Sequence, residues 1–214
     1  MPSIDLLLNA LVTLLVTIDP VGNVPVFLGL TAGLHAGARR AVATRGSAIA
    51  FAILTVFALT GMAVLDAMGI TIDAFRVAGG LLLFFTAFEM IYGGRQERRE
   101  QTSDAAAGER VADLAVFPLA IPLLAGPGTI SAAILLSSEL SAAPDVSLWT
   151  GRAVLIGLIA LVMALTALAL VVAERLDAYL GRTGKLVLTR LLGVLLAALS
   201  VQYVADGARG LVAG

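Results

Sequence analysis

The chain has 214 residues, of which 59% are hydrophobic and 14% charged, and its mean hydropathy is +1.00. A water-soluble domain of this size cannot bury so much apolar surface, so the composition predicts a protein whose solvent is lipid. The formal net charge of −1, without any basic block, argues against a nucleic-acid partner. The lack of cysteine excludes disulfides, thiolate metal sites and thiol redox chemistry, and the single histidine, His35, is expected to be solvated.

Six apolar stretches are each long enough to cross a membrane, which takes about 20 helical residues. They nearly fill the chain, so we predict an all-α membrane protein with six transmembrane helices and no soluble domain. The N-terminus has neither a positive region nor a small-residue cleavage site, so we expect the first stretch to be a membrane segment and not a signal peptide. In chain order the predicted segments are Ile4 to Leu30, Val42 to Leu65, Ile72 to Tyr92, Asp113 to Ser137, Thr150 to Ala173 and Leu186 to Val204.

A polar segment at about residues 93–109 interrupts the apolar pattern and is predicted to be a solvated cytoplasmic linker. It separates two predicted units, residues 1–107 with the linker included and residues 108–214. If the N-terminus is outside, the inner loops hold eleven of the fourteen Lys and Arg residues, and the outer side holds only Arg76, Arg152 and Arg209. The positive-inside rule therefore predicts a multi-pass protein of the bacterial inner membrane with both termini periplasmic.

The two halves align with each other, which predicts two inverted three-helix repeats, because three spans per repeat force the copies into opposite orientations. An offset of 107 pairs Pro20 with Pro127 and Arg45 with Arg152 in the first two segments of each half. An offset of 114 fits the third and sixth segments, which predicts a seven-residue insertion in the loop around residues 177–185. The pairs at this offset are Arg76 and Arg190, Gly79 and Gly193, Leu82 and Leu196, Thr86 and Ser200, and Gly93 and Gly207.

Proline and glycine interrupt the helical pattern inside the first and fourth segments, at corresponding positions of the two halves. The first interruption is residues 17–25, TIDPVGNVP, and the second is residues 118–129, PLAIPLLAGPGT. Proline removes a backbone donor and clashes with the preceding turn, so both helices are predicted to be interrupted near the midplane. Freed backbone groups in hydrocarbon are costly unless they face protein or water, so we expect both breaks to line a shared cavity.

The residues around the two breaks form the candidate binding site. Asp19 is expected to cap the second half of the first helix, with Pro20 at the first helical position. Whether the carboxylate also takes part in substrate binding stays open at this point. Gly126 and Pro127 begin a half-helix without an acidic cap, whose positive end suits a carboxylate. We therefore expect Asp19 and nearby carbonyls to receive an ammonium group or a coupling cation, and residues 126–129 to receive a carboxylate. The candidate substrate-binding residues are Asp19, Pro20, Gly22, Asn23, Pro25, Gly126, Pro127, Gly128 and Thr129.

The string IDPVGNVPVFL at residues 18–28, with PLLAGPGTI at residues 122–130, closely resembles the MarC family of bacterial inner-membrane proteins. The resemblance covers essentially the entire chain, including its length, its six predicted spans and both motifs. The family is similar to proteins described as small neutral amino acid transporters. The resemblance therefore implies a transport function, and the expected solute is a small neutral amino acid such as glycine, alanine or serine.

A secondary transporter accounts for both broken helices and the repeat, and H⁺ and Na⁺ are its candidate coupling ions. A passive exporter or channel would need more polar positions in the spans, and a non-transporting membrane scaffold stays open. An enzyme is disfavoured because the spans offer no zinc-binding histidine pair and, away from their ends, no second aspartate beside Asp19, while Glu89 is expected at the interface. We predict no catalytic or metal-binding residue and no cofactor. The expected partners are the lipid bilayer and a small-molecule substrate, and a homo-oligomer stays open.

Overall fold

The computed structural model describes residues 2–92, 111–142 and 146–213, and within these ranges the regular structure is entirely helical. The predicted linker at residues 93–109 lies outside the described residues. An irregular segment, Ala115–Leu124, whose backbone is extended at Phe117 and Ile121, precedes the helix Pro127–Ala142. The described helices are α1 (Ile4–Ile18), α2 (Val24–Leu30), α3 (Ala36–Ala67), α4 (Ile72–Tyr92), α5 (Val111–Leu114), α6 (Pro127–Ala142), α7 (Leu148–Val171) and α8 (Ala173–Ala213).

Four described helices are long and apolar enough to cross a membrane: α3, α4, α7 and the Leu186–Ala213 part of α8. A fifth candidate span consists of Ala115–Leu124 and α6, which meet at a bend of 60°. The predicted first span is instead a 15-residue α1 and a 7-residue α2 separated by a turn. At about 22 Å, α1 alone is shorter than the roughly 30 Å hydrocarbon core. The chain is therefore an all-helical membrane protein with four to five candidate spans, and the count of six stays a prediction.

Side chains that cap the helices explain several of their boundaries. The Ser3 hydroxyl accepts from the amide of Leu6 at the start of α1, and the Ser147 hydroxyl accepts from Thr150 at the start of α7. His35 is exposed as predicted, and its Nδ1 accepts from the amide of Ala38 to cap α3. The region around residues 177–185, predicted as a loop insertion, is helical apart from a kink at Gly181, where φ is +60°.

Apolar side chains on the outside of the helices face the surroundings of the protein. Three phenylalanines on α4, Phe84, Phe85 and Phe88, are each more than 40% exposed. A continuous surface of this kind is unfavourable in water and suits the hydrocarbon of a bilayer. The helical architecture and the apolar exterior together agree with lipid as the solvent.

Glycines bring α4 and α8 into close antiparallel contact. A Cβ added at Gly80 would lie 2.9 Å from the carbonyl oxygen of Ser200 and 2.8 Å from Val204. A Cβ at Gly193 would lie 2.9 Å from the Cβ of Met90. Small residues at such contacts let helix backbones approach closely, which is a main source of helix association in lipid.

We predict that Gly80→Ala destabilises the protein, whereas Gly157→Ala on α7 does not. The new methyl at position 80 would press on a backbone oxygen of α8, and overpacking of this kind costs about 1–3 kcal/mol. The matched control has no described atom within 4 Å of its added methyl and gains helix propensity. The thermal unfolding midpoints of the two detergent-solubilised variants measure the difference. Equal midpoints would contradict the tight α4–α8 contact.

Candidate binding site at two broken helices

The first break begins where α1 ends, at Ile18. Asp19 is its C-cap residue and has left-handed backbone angles, φ 54° and ψ 67°, which aspartate tolerates better than most residues. Asn23 is the N-cap residue of α2, and Pro25 lies in the first turn of that helix. The prediction that Asp19 caps the second half-helix with Pro20 at its first position is therefore wrong, because the turn takes up four more residues before the chain becomes helical again.

The Asp19 carboxylate is fully buried and folds back over its own turn. Its Oδ1 accepts a hydrogen bond of 2.9 Å from the amide of Gly22. A Cβ on Gly22 would lie only 2.0 Å from the other carboxylate oxygen, so the glycine provides the space for this arrangement. The turn thus holds a carboxylate group inside the protein.

Asn23 links the end of α1 to the start of α2. Its side-chain nitrogen donates to the carbonyl oxygens of Ile18, at 2.7 Å, and Asp19, at 3.1 Å. These two acceptors fix the orientation of the amide, since only its nitrogen can donate. The opposite atom, Asn23 Oδ1, is buried and has no hydrogen-bond partner among the described residues. An acceptor in that state costs about 1–3 kcal/mol, so this atom is a candidate contact for a ligand that donates a hydrogen bond.

The second break occupies Ala115–Leu124 and the turn that follows. Phe117 and Ile121 have extended backbone angles, as expected for residues that precede proline. Pro127 is the first residue of α6, and the first turn of this helix contains no acidic residue, as the sequence predicts. Both helix interruptions that the sequence predicts are therefore present in the fold.

The two breaks meet inside the protein. The Thr129 hydroxyl, in the first turn of α6, donates to the carbonyl oxygen of Thr17 in the last turn of α1 at 3.4 Å. Thr17 is 1% exposed and Thr129 is 3% exposed, so the contact is shielded from the surroundings. The C-terminal end of α1 thus lies against the N-terminal end of α6.

The predicted site residues differ in their exposure. Five of them are buried, three are half-buried, and Pro127 is exposed. The buried residues are Asp19, Gly22, Asn23, Gly128 and Thr129, and the half-buried ones are Pro20, Pro25 and Gly126. A Cβ on Gly128 would lie 2.9 Å from the Thr86 hydroxyl, so α4 also packs against this site. A function of these residues in substrate binding stays a prediction.

Three cavities are described in the chain and none of these three lies between the breaks, so the shared open cavity stays a prediction. They measure about 310, 340 and 270 Å³ and lie elsewhere. The first is near Arg39 and Glu174, the second lies between α1 and α8 beside Asn9 and Thr13, and the third lies between α3 and α7 beside Ser47. In this conformation the polar groups of the two breaks contact each other and Asp19 contacts its own turn, which leaves the site closed.

Sequence reasoning missed Glu139 on α6. The predicted fourth span ends at Ser137, so Glu139 fell outside it, whereas α6 continues to Ala142. In the fold, the Glu139 carboxyl faces the hydroxyl of Tyr203. The sequence contains a signal for this residue. Leu140 continues the apolar run past the predicted end of the span, and Glu139 is the only charged residue in that run.

The architecture and the site define a multi-pass helical membrane protein with two interrupted helices in contact. A sequence model of the family described as MarC family integral membrane protein matches residues 4–212. The chain therefore belongs to the MarC family, which confirms the resemblance noted from the motifs. No solved structure matches the chain.

Curated relatives of the chain occur in bacteria and archaea. A UPF0056 membrane protein of Methanocaldococcus jannaschii is 38% identical over 193 residues, which cover 90% of this chain and 91% of the relative. The UPF0056 membrane protein YvbG of Bacillus subtilis is 34% identical over 206 residues, covering 96% and 95% of the two chains. A UPF0056 membrane protein of Aquifex aeolicus is 35% identical over 213 residues, covering 97% and 94%. These names give a membrane location and no activity.

We predict that Thr129→Val destabilises the protein and that Thr60→Val does not. The first substitution removes the hydrogen bond between the two breaks, and such a bond contributes about 0.5–1.5 kcal/mol. The control hydroxyl is exposed and bonds only to Val56 of its own helix. Thermal unfolding of both purified variants provides the measurement, and an unchanged midpoint for Thr129→Val would show that the contact contributes nothing.

Proposed function

We propose that the protein is a secondary transporter of a small polar solute, most simply a small neutral amino acid, and that it works by alternating access around the two broken helices. The observation that carries this proposal is the buried contact between the breaks, beside an Asn23 Oδ1 that has no partner among the described residues. Broken helices that meet inside a membrane protein are typical of transporter binding sites.

The ends of α1 and α6 have opposite electrostatic character. A helix C-terminus carries partial negative charge and a helix N-terminus carries partial positive charge. The α1 end adds the Asp19 carboxylate and the Asn23 Oδ1 acceptor, whereas the α6 start has no acidic residue. An amino acid zwitterion would therefore place its ammonium group at the α1 end and its carboxylate at the amides of Gly128 and Thr129.

The described conformation corresponds in this proposal to an occluded state. The Thr129 hydroxyl and the Asp19 carboxylate are engaged within the protein, with Thr17 and with Gly22. A bound zwitterion would offer charged groups to the same atoms, so binding would exchange internal hydrogen bonds for ligand contacts. A closed site of this kind favours alternating access over a channel, which needs a continuous polar path.

The contacts also support the proposed inverted repeat. The offset of 114 relates position 80 to 194, Ser200 to Thr86 and Val204 to Met90. The counterparts of the contacts that Gly80 makes with Ser200 and Val204 are therefore contacts of residue 194 with Thr86 and Met90. The neighbouring Gly193 packs against Met90. Under the offset of 107, the contact between Thr17 and Thr129 joins the two corresponding breaks, with Thr17 three residues before Pro20 and Thr129 two residues after Pro127. A pseudo-twofold axis through both contacts would relate the two halves, and rocking of one half against the other would then expose the site to either side.

A ligand test separates the charge of Asp19 from its structural role. Asp19→Asn keeps an oxygen for the Gly22 amide and a residue that tolerates left-handed angles, so only the charge is lost. We predict that one of glycine, alanine or serine stabilises the wild type against heat, by about 2.7 kcal/mol at 100 times its dissociation constant. Asp19→Asn should remove this stabilisation.

Asp5→Asn, on an exposed aspartate in the first turn of α1, is the matched control and should retain the ligand effect. Uptake of the same labelled amino acids into proteoliposomes then distinguishes the alternatives. Accumulation against a gradient supports the transporter, while equilibration alone indicates a passive exporter or channel. If no amino acid of the panel is bound or taken up, the proposal is wrong and a non-transporting membrane scaffold is favoured.

We also propose that the protein lies in the bacterial inner membrane with both termini in the periplasm. The chain has no cysteine, so single cysteines report on orientation without a background. A membrane-impermeant maleimide should label Ala213→Cys in intact spheroplasts, and Thr102→Cys in the predicted linker only after permeabilisation. The reverse pattern would invert the proposed topology.

A further inference from the structure

A polar cluster lies at the end of the bundle where α4 begins and α6 ends. Arg76 on α4 donates to Asp73 at 3.0 Å, and Arg209 on α8 donates to Asp206 at 3.3 Å. The side-chain amide of Gln202 also donates to both carboxylate oxygens of Asp206, at 2.8 and 2.9 Å. Each of these two acids thus has an arginine of its own, and the third acid of the cluster is Glu139 on α6.

Glu139 has no ion pair within 4 Å among the described residues. Its flanking residue Leu140 and the preceding Leu136 are fully buried, and Glu139 itself is half-buried. The cluster holds three acids and two arginines, so it carries one net negative charge when all groups are ionised and none when one acid is protonated. Net charge at the margin of the hydrocarbon is unfavourable, and Glu139 is the acid without a dedicated counter-ion.

Tyr203 on α8 faces the Glu139 carboxyl. Tyr203 is only 4% exposed, and its buried hydroxyl makes no hydrogen bond of ordinary geometry with the described residues. The hydroxyl is nevertheless close enough to the Glu139 carboxyl for a looser polar contact. A hydroxyl both donates and accepts. It can donate to the ionised carboxylate or accept from the protonated acid, so it suits either state of Glu139.

We infer that Glu139 is a proton-binding site, which takes up one proton from water at this end of the bundle and returns it to water, with Tyr203 as its hydrogen-bond partner. The part of this inference that couples the proton to transport rests on the proposed function, whereas proton binding by Glu139 does not depend on it. In the protonated state the cluster is neutral, and after release of the proton the carboxylate faces Tyr203 with Arg76 nearby. No electron transfer or other co-reactant is involved.

A proton fits this place better than a metal ion. Within the described ranges, no three His, Cys, Asp or Glu side chains come together to hold a metal, and the Arg76 guanidinium beside Glu139 repels a bound cation. Among the described residues, the other helices that begin or end on this side carry Arg152 on α7, which lies over the Trp149 ring at 5.7 Å, and two exposed carboxylates, Asp5 on α1 and Asp66 on α3.

The position of Glu139 connects it to the candidate binding site. Thr129 and Glu139 lie on the same helix, ten residues and about 15 Å apart. A change in the charge of Glu139 alters how the end of α6 is held against α4 and α8, and the rigid helix carries this change to the break. Under the offset of 107 the counterpart of Glu139 is Ala32, so the first half has no matching carboxyl and the proton site belongs to one side.

Infrared difference spectroscopy of the purified wild type between alkaline pH and about pH 6, where exposed carboxyls with ordinary pKa values of about 4 stay ionised, tests the proton site directly. We expect a carbonyl band from one protonated carboxyl that is lost in Glu139→Gln and kept in Glu89→Gln, a control at the opposite end of α4. Tyr203→Phe should keep the band and move it to higher frequency, because the carbonyl loses a hydrogen-bond partner. A band that persists unchanged in Glu139→Gln overturns the inference, provided that this variant elutes as the wild type does in size-exclusion chromatography.

Proton movement in proteoliposomes tests the coupling. With a pH-sensitive dye inside, the wild type should take up protons when alanine or another transported amino acid is added, and Glu139→Gln should lose proton uptake while still exchanging labelled for unlabelled amino acid. Proton uptake retained in Glu139→Gln overturns the coupling role and leaves transport intact. An infrared band that depends on Glu139, without transport of any amino acid of the panel, refutes the proposed function and supports the proton site.

Discussion

Hydrogen bonding of the backbone where two helices stop inside the protein is the constraint on which the rest of this fold depends. Hydrocarbon offers no partner for a freed carbonyl, so each must be satisfied from within the molecule. At the end of α1, the Asn23 side chain serves the carbonyls of Ile18 and Asp19, and Thr129 from the other half serves that of Thr17. The broken helices therefore complete each other, and neither break is a feature of one half alone.

The same constraint explains why the breaks lie in the buried interior of the bundle. Residues on both sides of the breaks, such as Ile18, Val24 and Leu124, belong to one buried apolar cluster. Around it, glycines on α4 and α8 remove the side chains that would separate the helices. The irregular backbone is thus enclosed by regular helices, which supply the rigid surroundings that a binding site needs.

The sequence predicted the elements that follow from local chemistry. The bounds of α4 agree with its predicted segment, and proline and glycine located both breaks. The cap was assigned to the wrong helix because a proline shows that a helix is interrupted, whereas the left-handed angles of Asp19 decide on which side the interruption lies. The contact between the breaks was not predictable, since it depends on Thr129 reaching Thr17, 112 positions away in the chain. Glu139 was missed because a helix that starts with a break can carry its apolar run beyond the expected length.

Together these features give α6 a central position in the protein. Its first turn contacts the end of α1, its middle packs against Gly61 of α3 and Gly79 of α4, and its last turns reach Tyr203 of α8. A single helix of 16 residues therefore touches both halves of the predicted repeat. In the proposed coupling, the stiffness of this helix connects its two ends. A movement of the whole helix that separates Thr129 from Thr17 also shifts Glu139 relative to Tyr203 and Arg76, and this is how the proposal relates protonation at one end to a change at the break.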